Sequence, residues 1–80
     1  MHELGIMYHI VEKVLKVVET NQLSEVEAIV LQVGELSSVI PRYLHACYPA
    51  AVDGTILEGT KLEVEIINGK EFYLKEIRAY

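Results

Sequence analysis

Cysteine is nearly absent from this chain: Cys47 is the only one in 80 residues. No disulfide can close within it, and a zinc site built from thiolates is excluded. So low a thiol count suits a reducing cytosol. Clustered positive charge is also missing. The seven Lys and Arg residues are scattered from Lys13 to Arg78 and face twelve acids, for a net charge of -5. A protein that holds a nucleic-acid backbone needs a basic stripe, so that class is excluded. No apolar run is long enough to span a bilayer. The opening Met1-His2-Glu3 has no basic n-region, and no signal peptide is expected. Glycine-rich phosphate loops, a P-loop lysine and a serine elbow are all lacking, and nothing points to an enzyme. The expectation is a soluble, cytoplasmic chain with no nucleic-acid or membrane partner.

What the chain does have is apolar content, 51% of residues, enough for one core but not for two. Leu4, Met7, Ile10, Val11, Val14, Val17 and Val18 recur at steps of three and four, which predicts an amphipathic helix from about residue 3 to Thr20-Asn21. Glu12 and Lys16 form an i,i+4 pair on its far side. From Val26 to Leu36 the period becomes two, with Ile29, Leu31 and Val33 on one face and Ala28, Val30 and Gln32 on the other. Pro41 suits the first turn of a second helix, whose buried stripe is read as Leu44, Cys47, Tyr48 and Ala51. Pro49 predicts a kink or an early end near Ala46 to Tyr48.

Two further strands follow, one through Leu62, Val64 and Ile66 and one from Phe72 to Tyr80. Asn68-Gly69 reads as a hairpin turn between them. A three-residue loop, Ile67-Asn68-Gly69, sets Val64 against Phe72 and Leu62 against Leu74, and it puts Gly69 where φ is positive. The order α-β-α-β-β predicts a small α/β domain over 1–80, with two helices packed on one face of a three-stranded mixed β-sheet.

The most unusual chemistry lies in the first three residues. Where nothing precedes it, Met1 brings an α-amine, His2 brings an imidazole, and the amide nitrogens of His2 and Glu3 complete the set. Together these can form fused chelate rings, a planar four-nitrogen set of the kind Ni(II) and Cu(II) favour. The amides of a first helical turn have no intrahelical partner, so deprotonating them for a metal breaks no helical bond. Taken alone, His2 reads first as an ordinary exposed terminal histidine. His9 is about 10 Å further along the helix, too far to share that metal. His45 and Cys47 do not have the spacing of a nucleophile pair, and Cys47 reads as a small core residue. Glu25, Glu27, Glu63 and Glu65 read as solvent-facing strand positions.

Met1-His2-Glu3-Leu4 and Val33-Gly34-Glu35-Leu36-Ser37 together resemble the HypA/HybF family of hydrogenase nickel incorporation proteins. Gly54-Thr55, Leu57-Glu58-Gly59 and Lys75-Glu76-Ile77 extend the resemblance over nearly the whole chain. It implies a nickel metallochaperone domain that binds Ni(II) through Met1, His2 and Glu3 for nickel-iron hydrogenase maturation. The implied partners are a HypB-type GTPase and the hydrogenase large-subunit precursor, with urease a second client in some members. Family members carry a zinc ribbon with two cysteine pairs between the last two strands, where this chain has Ile67-Asn68-Gly69. The nickel-binding part is therefore expected to lack zinc, either naturally or because a ribbon was removed, and the tight junction favours removal. The alternative is a truncated or redesigned scaffold that keeps the fold without metal delivery.

Overall fold

The apolar stripe produces the first element as read: in the computed structural model, which describes residues 3–80, α1 spans Glu3–Asn21. It buries Met7, Ile10, Val11, Val14 and Val18. Its end is a Schellman closure. The Leu23 N–H donates to the Val18 carbonyl at 3.0 Å and the Gln22 N–H to that of Glu19 at 3.3 Å, with Gln22 at φ 53°. The stripe does not start at Leu4, however. Leu4 is 42% exposed, whereas Glu3 is 6% exposed. Glu3 lies four positions before Met7, so the 3.6-residue period carries it onto the buried face and turns Leu4 away.

The remaining elements are β1 (Val26–Gly34), α2 (Pro41–Val52), β2 (Lys61–Ile67) and β3 (Phe72–Ala79). α2 has Pro41 in its first turn and runs through Pro49 without ending early. Pro49 and His45 are both exposed, so water can serve the His45 carbonyl that Pro49 cannot. Leu44, Tyr48, Ala51 and Val52 are the buried residues of α2, and Cys47 is half-buried.

The three strands form one mixed sheet in the order β2-β1-β3. The expected hairpin is therefore overturned: β2 and β3 do not pair, because β1 lies between them. β1 is parallel to β2 and antiparallel to β3. The physical reason is that β1 is apolar on both sides, with Ala28 and Val30 as buried as Ile29, Leu31 and Val33. Such a strand belongs in the centre, whereas strands that alternate with charges can tolerate an edge. The residues expected to share a face do so, but across β1. Leu62, Ile29 and Ile77 form one row, Val64, Leu31 and Leu74 the next, and Ile66, Val33 and Phe72 the third. Both helices cover this face, giving the two-layer α/β arrangement, and Ile29, Leu31 and Val33 join Met7, Val14, Leu44 and Leu57 in its core.

The opposite face has no helix. Ion pairs cover its centre instead: Arg78 reaches Glu63 at 2.7 Å and Glu76 at 3.3 Å, and Lys75 reaches Glu65 at 3.0 Å. Ala28 and Val30 are short enough for these side chains to meet above them. The Lys75 ammonium, helped by the Gln32 amide, holds the Glu65 carboxyl below the usual carboxylate range.

The chain between α2 and β2 is anchored by side chains. The Thr55 hydroxyl donates to the Val52 carbonyl at 2.8 Å and accepts the Leu57 N–H at 3.0 Å. The Glu58 carboxylate accepts the Gly54 N–H. Leu57 is thereby folded fully into the core, and the Thr60 hydroxyl ties off the loop on the Val26 carbonyl at 2.8 Å.

The crossover from β2 to β3 passes over the end of β1. The Gly34 N–H donates to the Glu71 carbonyl at 2.7 Å, Glu35 to Ile67 at 2.8 Å and Leu36 to Gly69 at 2.9 Å. Gly69 has φ 94°, the positive value expected of it. A Cβ on Gly34 would fall 2.8 Å from the Glu71 carbonyl oxygen and closer still to that of Gly69, both of them backbone atoms. Only glycine lets the crossover close on the strand.

Gly34→Ala should therefore lower the unfolding free energy by about 2 kcal/mol or more in a denaturant titration. Parent-like stability would mean that the crossover can lift off β1 freely. A second test concerns Tyr48, whose hydroxyl is buried with no hydrogen-bond partner among the described residues and whose pKa burial pushes up from 10.0 to about 12. Between those values the unfolded chain holds fewer protons than the folded one, so stability falls as pH rises through this window. Tyr48→Phe should be neutral or stabilising at pH 7 and should flatten that alkaline loss, followed by thermal melts at successive pH values.

Candidate metal centre

Helix α1 opens at Glu3, the first described residue. Met1 and His2, expected with Glu3 to hold a metal, lie outside the described residues. The Glu3 side chain runs inward, and its carboxylate Oε2 accepts the backbone N–H of Ile40 at 3.2 Å. Ile40 is the N-cap of α2, at φ -106° and ψ 113°, and has no side-chain cap of its own. Its carbonyl accepts the N–H groups of Tyr43 at 3.0 Å and Leu44 at 3.2 Å, starting the helix. A carboxylate next to a helix N-terminus also meets the positive end of the helix dipole. Glu3 thus serves the start of two helices: α1 through its backbone and α2 through its side chain.

Ile40 is itself held in place. Pro41 fixes the backbone after it, and the Ser37 hydroxyl accepts the Val39 N–H at 3.4 Å. The Ser37 N–H in turn donates to the Gly34 carbonyl at 3.0 Å. The segment Val33-Gly34-Glu35-Leu36-Ser37 is therefore the turn that carries the chain from β1 to the anchor of Glu3. The sequence motif and Glu3 are parts of one local structure.

The other candidates are scattered. His9 and His45 are exposed on α1 and α2, and Cys47 is half-buried. Among the described residues no three His, Cys, Asp or Glu side chains gather closely enough to hold a metal ion. An open groove of about 460 Å³ runs between α1 and the end of α2, with Glu12 and Asp53 among its lining, but Glu3 takes no part in it. No helix among the described residues is long and apolar enough to cross a membrane. Sequence reasoning missed the Ile40 N–H, because a backbone donor leaves no residue signature. The inward turn of Glu3 was visible in principle, since Glu3, Met7, Ile10 and Val14 share one helical stripe.

Comparison with known proteins bears on this end of the molecule. Residues 1–73 match the family model described as hydrogenase/urease nickel incorporation, metallochaperone, hypA. The chain is 38% identical over 66 residues to a hydrogenase maturation factor HypA of Archaeoglobus fulgidus, covering 82% of this chain and 60% of the relative. It is 36% identical over 70 residues to that of Geobacter sulfurreducens, covering 88% of this chain and 61% of the relative. For a Nostoc species the figures are 42% over 69 residues, 86% and 58%. The chain thus spans about 60% of the length of these relatives. A match that runs from residue 1 through the crossover means that the chain belongs to the HypA family of hydrogenase and urease nickel-incorporation metallochaperones.

Proposed function

We propose that this domain carries one Ni(II) as cargo at its N-terminus, in a planar set made of the Met1 amine, the amide nitrogens of His2 and Glu3, and the His2 imidazole. The observation that supports this reading most is the start of α1 at Glu3. The amide there has no intrahelical partner to lose, and the one side chain nearby that could compete as an oxygen ligand is committed to Ile40. Four nitrogens in a plane suit Ni(II). Membership of the family supports nickel rather than copper as the cargo.

The cargo is destined for nickel-iron hydrogenase, with a HypB-type GTPase and the large-subunit precursor as cytoplasmic partners. The domain works by holding and releasing a metal, and it catalyses no reaction of its own. It binds no structural zinc, since Cys47 is the only thiol in the sequence.

Titration of untagged protein should give about one diamagnetic, square-planar Ni(II) per chain. His2→Ala should abolish tight binding, while His9→Ala and His45→Ala should leave it intact. Amine and amide donors must shed protons to bind, so affinity should climb steeply with pH. One residue added ahead of Met1 displaces the amine and should remove high-affinity binding with little change in circular dichroism, because the Glu3 anchor does not involve the amine. A His2→Ala variant that titrates like the parent would overturn the site and leave the scaffold reading. For zinc, protein purified without added metal should contain less than stoichiometric zinc by elemental analysis. Chelator-resistant zinc at one per chain would refute that part.

A further inference from the structure

We propose that the groove between α1 and the end of α2 is a docking surface for a basic amphipathic helix of a partner protein. It uses none of residues 1–3, so the proposal and its test stand apart from the nickel reading.

Helix α1 carries more apolar surface than the sheet covers. Beside the buried stripe, Leu4, Tyr8, Val11 and Leu15 follow at i, i+4, i+7 and i+11, a second line along the flank of the helix. Leu4 and Tyr8 remain 42% and 51% exposed. Tyr8, Val11 and Leu15 form one wall of the groove, and Ala50 and Ala51 of α2 form the other. Two alanines side by side leave the space open, about 460 Å³ of it. From Tyr8 to Leu15 the wall runs about 10 Å, two turns of a helix.

The chemistry of the groove selects among occupants. Both walls are helices whose backbone groups are already bonded, so an extended segment laid there would gain no backbone hydrogen bonds. A helix satisfies its own backbone and needs only apolar anchors one turn apart, which such walls accept. The charged residues lining the groove are Glu12 and Asp53, both acids. Neither is in an ion pair among the described residues, although Lys16 follows Glu12 by one turn. Lys or Arg beside the anchors would meet both carboxylates. A second copy of this chain suits the groove poorly. Its net charge is -5, and a two-fold contact would set Glu12 and Asp53 against the same acids.

The test titrates the full chain, isotope-labelled for amide shifts, with three short synthetic helical peptides. The first places Leu at i, i+4 and i+7 between flanking Lys residues; the second exchanges Lys for Glu; the third keeps Lys and exchanges Leu for Gln. The first should shift amides at 8–15 and 50–55 and bind less tightly as salt rises. The other two should bind at least about ten-fold more weakly. Ala50→Phe fills the groove from an exposed position and should weaken the first peptide about ten-fold. Glu12→Lys combined with Asp53→Lys should abolish the preference for Lys over Glu, and it carries the test if Ala50→Phe folds poorly. The proposal is overturned if the first peptide does not bind or if its shifts map elsewhere. It is overturned if the leucine-free peptide binds as well as the first, since that is charge attraction alone. Dilution of the chain by itself that moves the same amides also overturns it, because the occupant is then a second copy.

Discussion

Burial of β1 on both faces is the constraint on which the rest of the architecture depends. One face, Ile29, Leu31 and Val33, requires a helical layer above it, and α1 and α2 supply it. The other face is small at Ala28 and Val30 and is closed by ion pairs that reach across from β2 and β3. A strand buried in this way needs partners on both edges, so β2 and β3 flank it. The crossover joining them must then pass over the end of β1, and that passage makes Gly34 obligatory.

The same end of the sheet organises the start of α1. Gly34 begins the turn whose N–H groups are fixed on Ile67, Gly69 and Glu71, and that turn leads to Ile40, where Glu3 is attached. Glu3 and the turn at residues 33–37 are far apart in sequence, and the hydrogen bond from Ile40 to Glu3 brings the start of α1 to the end of that turn. They meet because a backbone N–H at the start of one helix needs an acceptor, and the first turn of the other provides it.

Much of this was legible in the residues themselves. The ends of α1 follow from the 3.6-residue stripe, the strands from their alternation, and the shared face of Leu62, Val64, Phe72 and Leu74 from parity alone. The strand order was not legible from the turn, because Asn68-Gly69 is the same local signal whether its strands pair directly or straddle a third. The discriminating fact was the apolar second face of β1, Ala28 and Val30, which marks a central strand. Pro49 misled because its effect depends on whether the bereft carbonyl sees water. The burial of Leu57 depends on Thr55 folding its own loop, a contact with no periodicity to announce it. At the candidate site, the proposed donors rest on the first three residues of the sequence, while the anchoring of Glu3 depended on a backbone group 37 positions away.

The position of β3 also sets the order in which the molecule can be completed. β2 meets β1 through a helical crossover of moderate length, but β3 pairs Ala79 with Val26, positions separated by about two thirds of the chain. Contacts between such remote positions are the slowest to form, since the loop entropy is lost before the contact repays it. During synthesis one edge of β1 stays bare until the last strand leaves the ribosome. Any segment spliced into the crossover over Gly34 would lengthen that wait and leave a two-stranded intermediate exposed for longer.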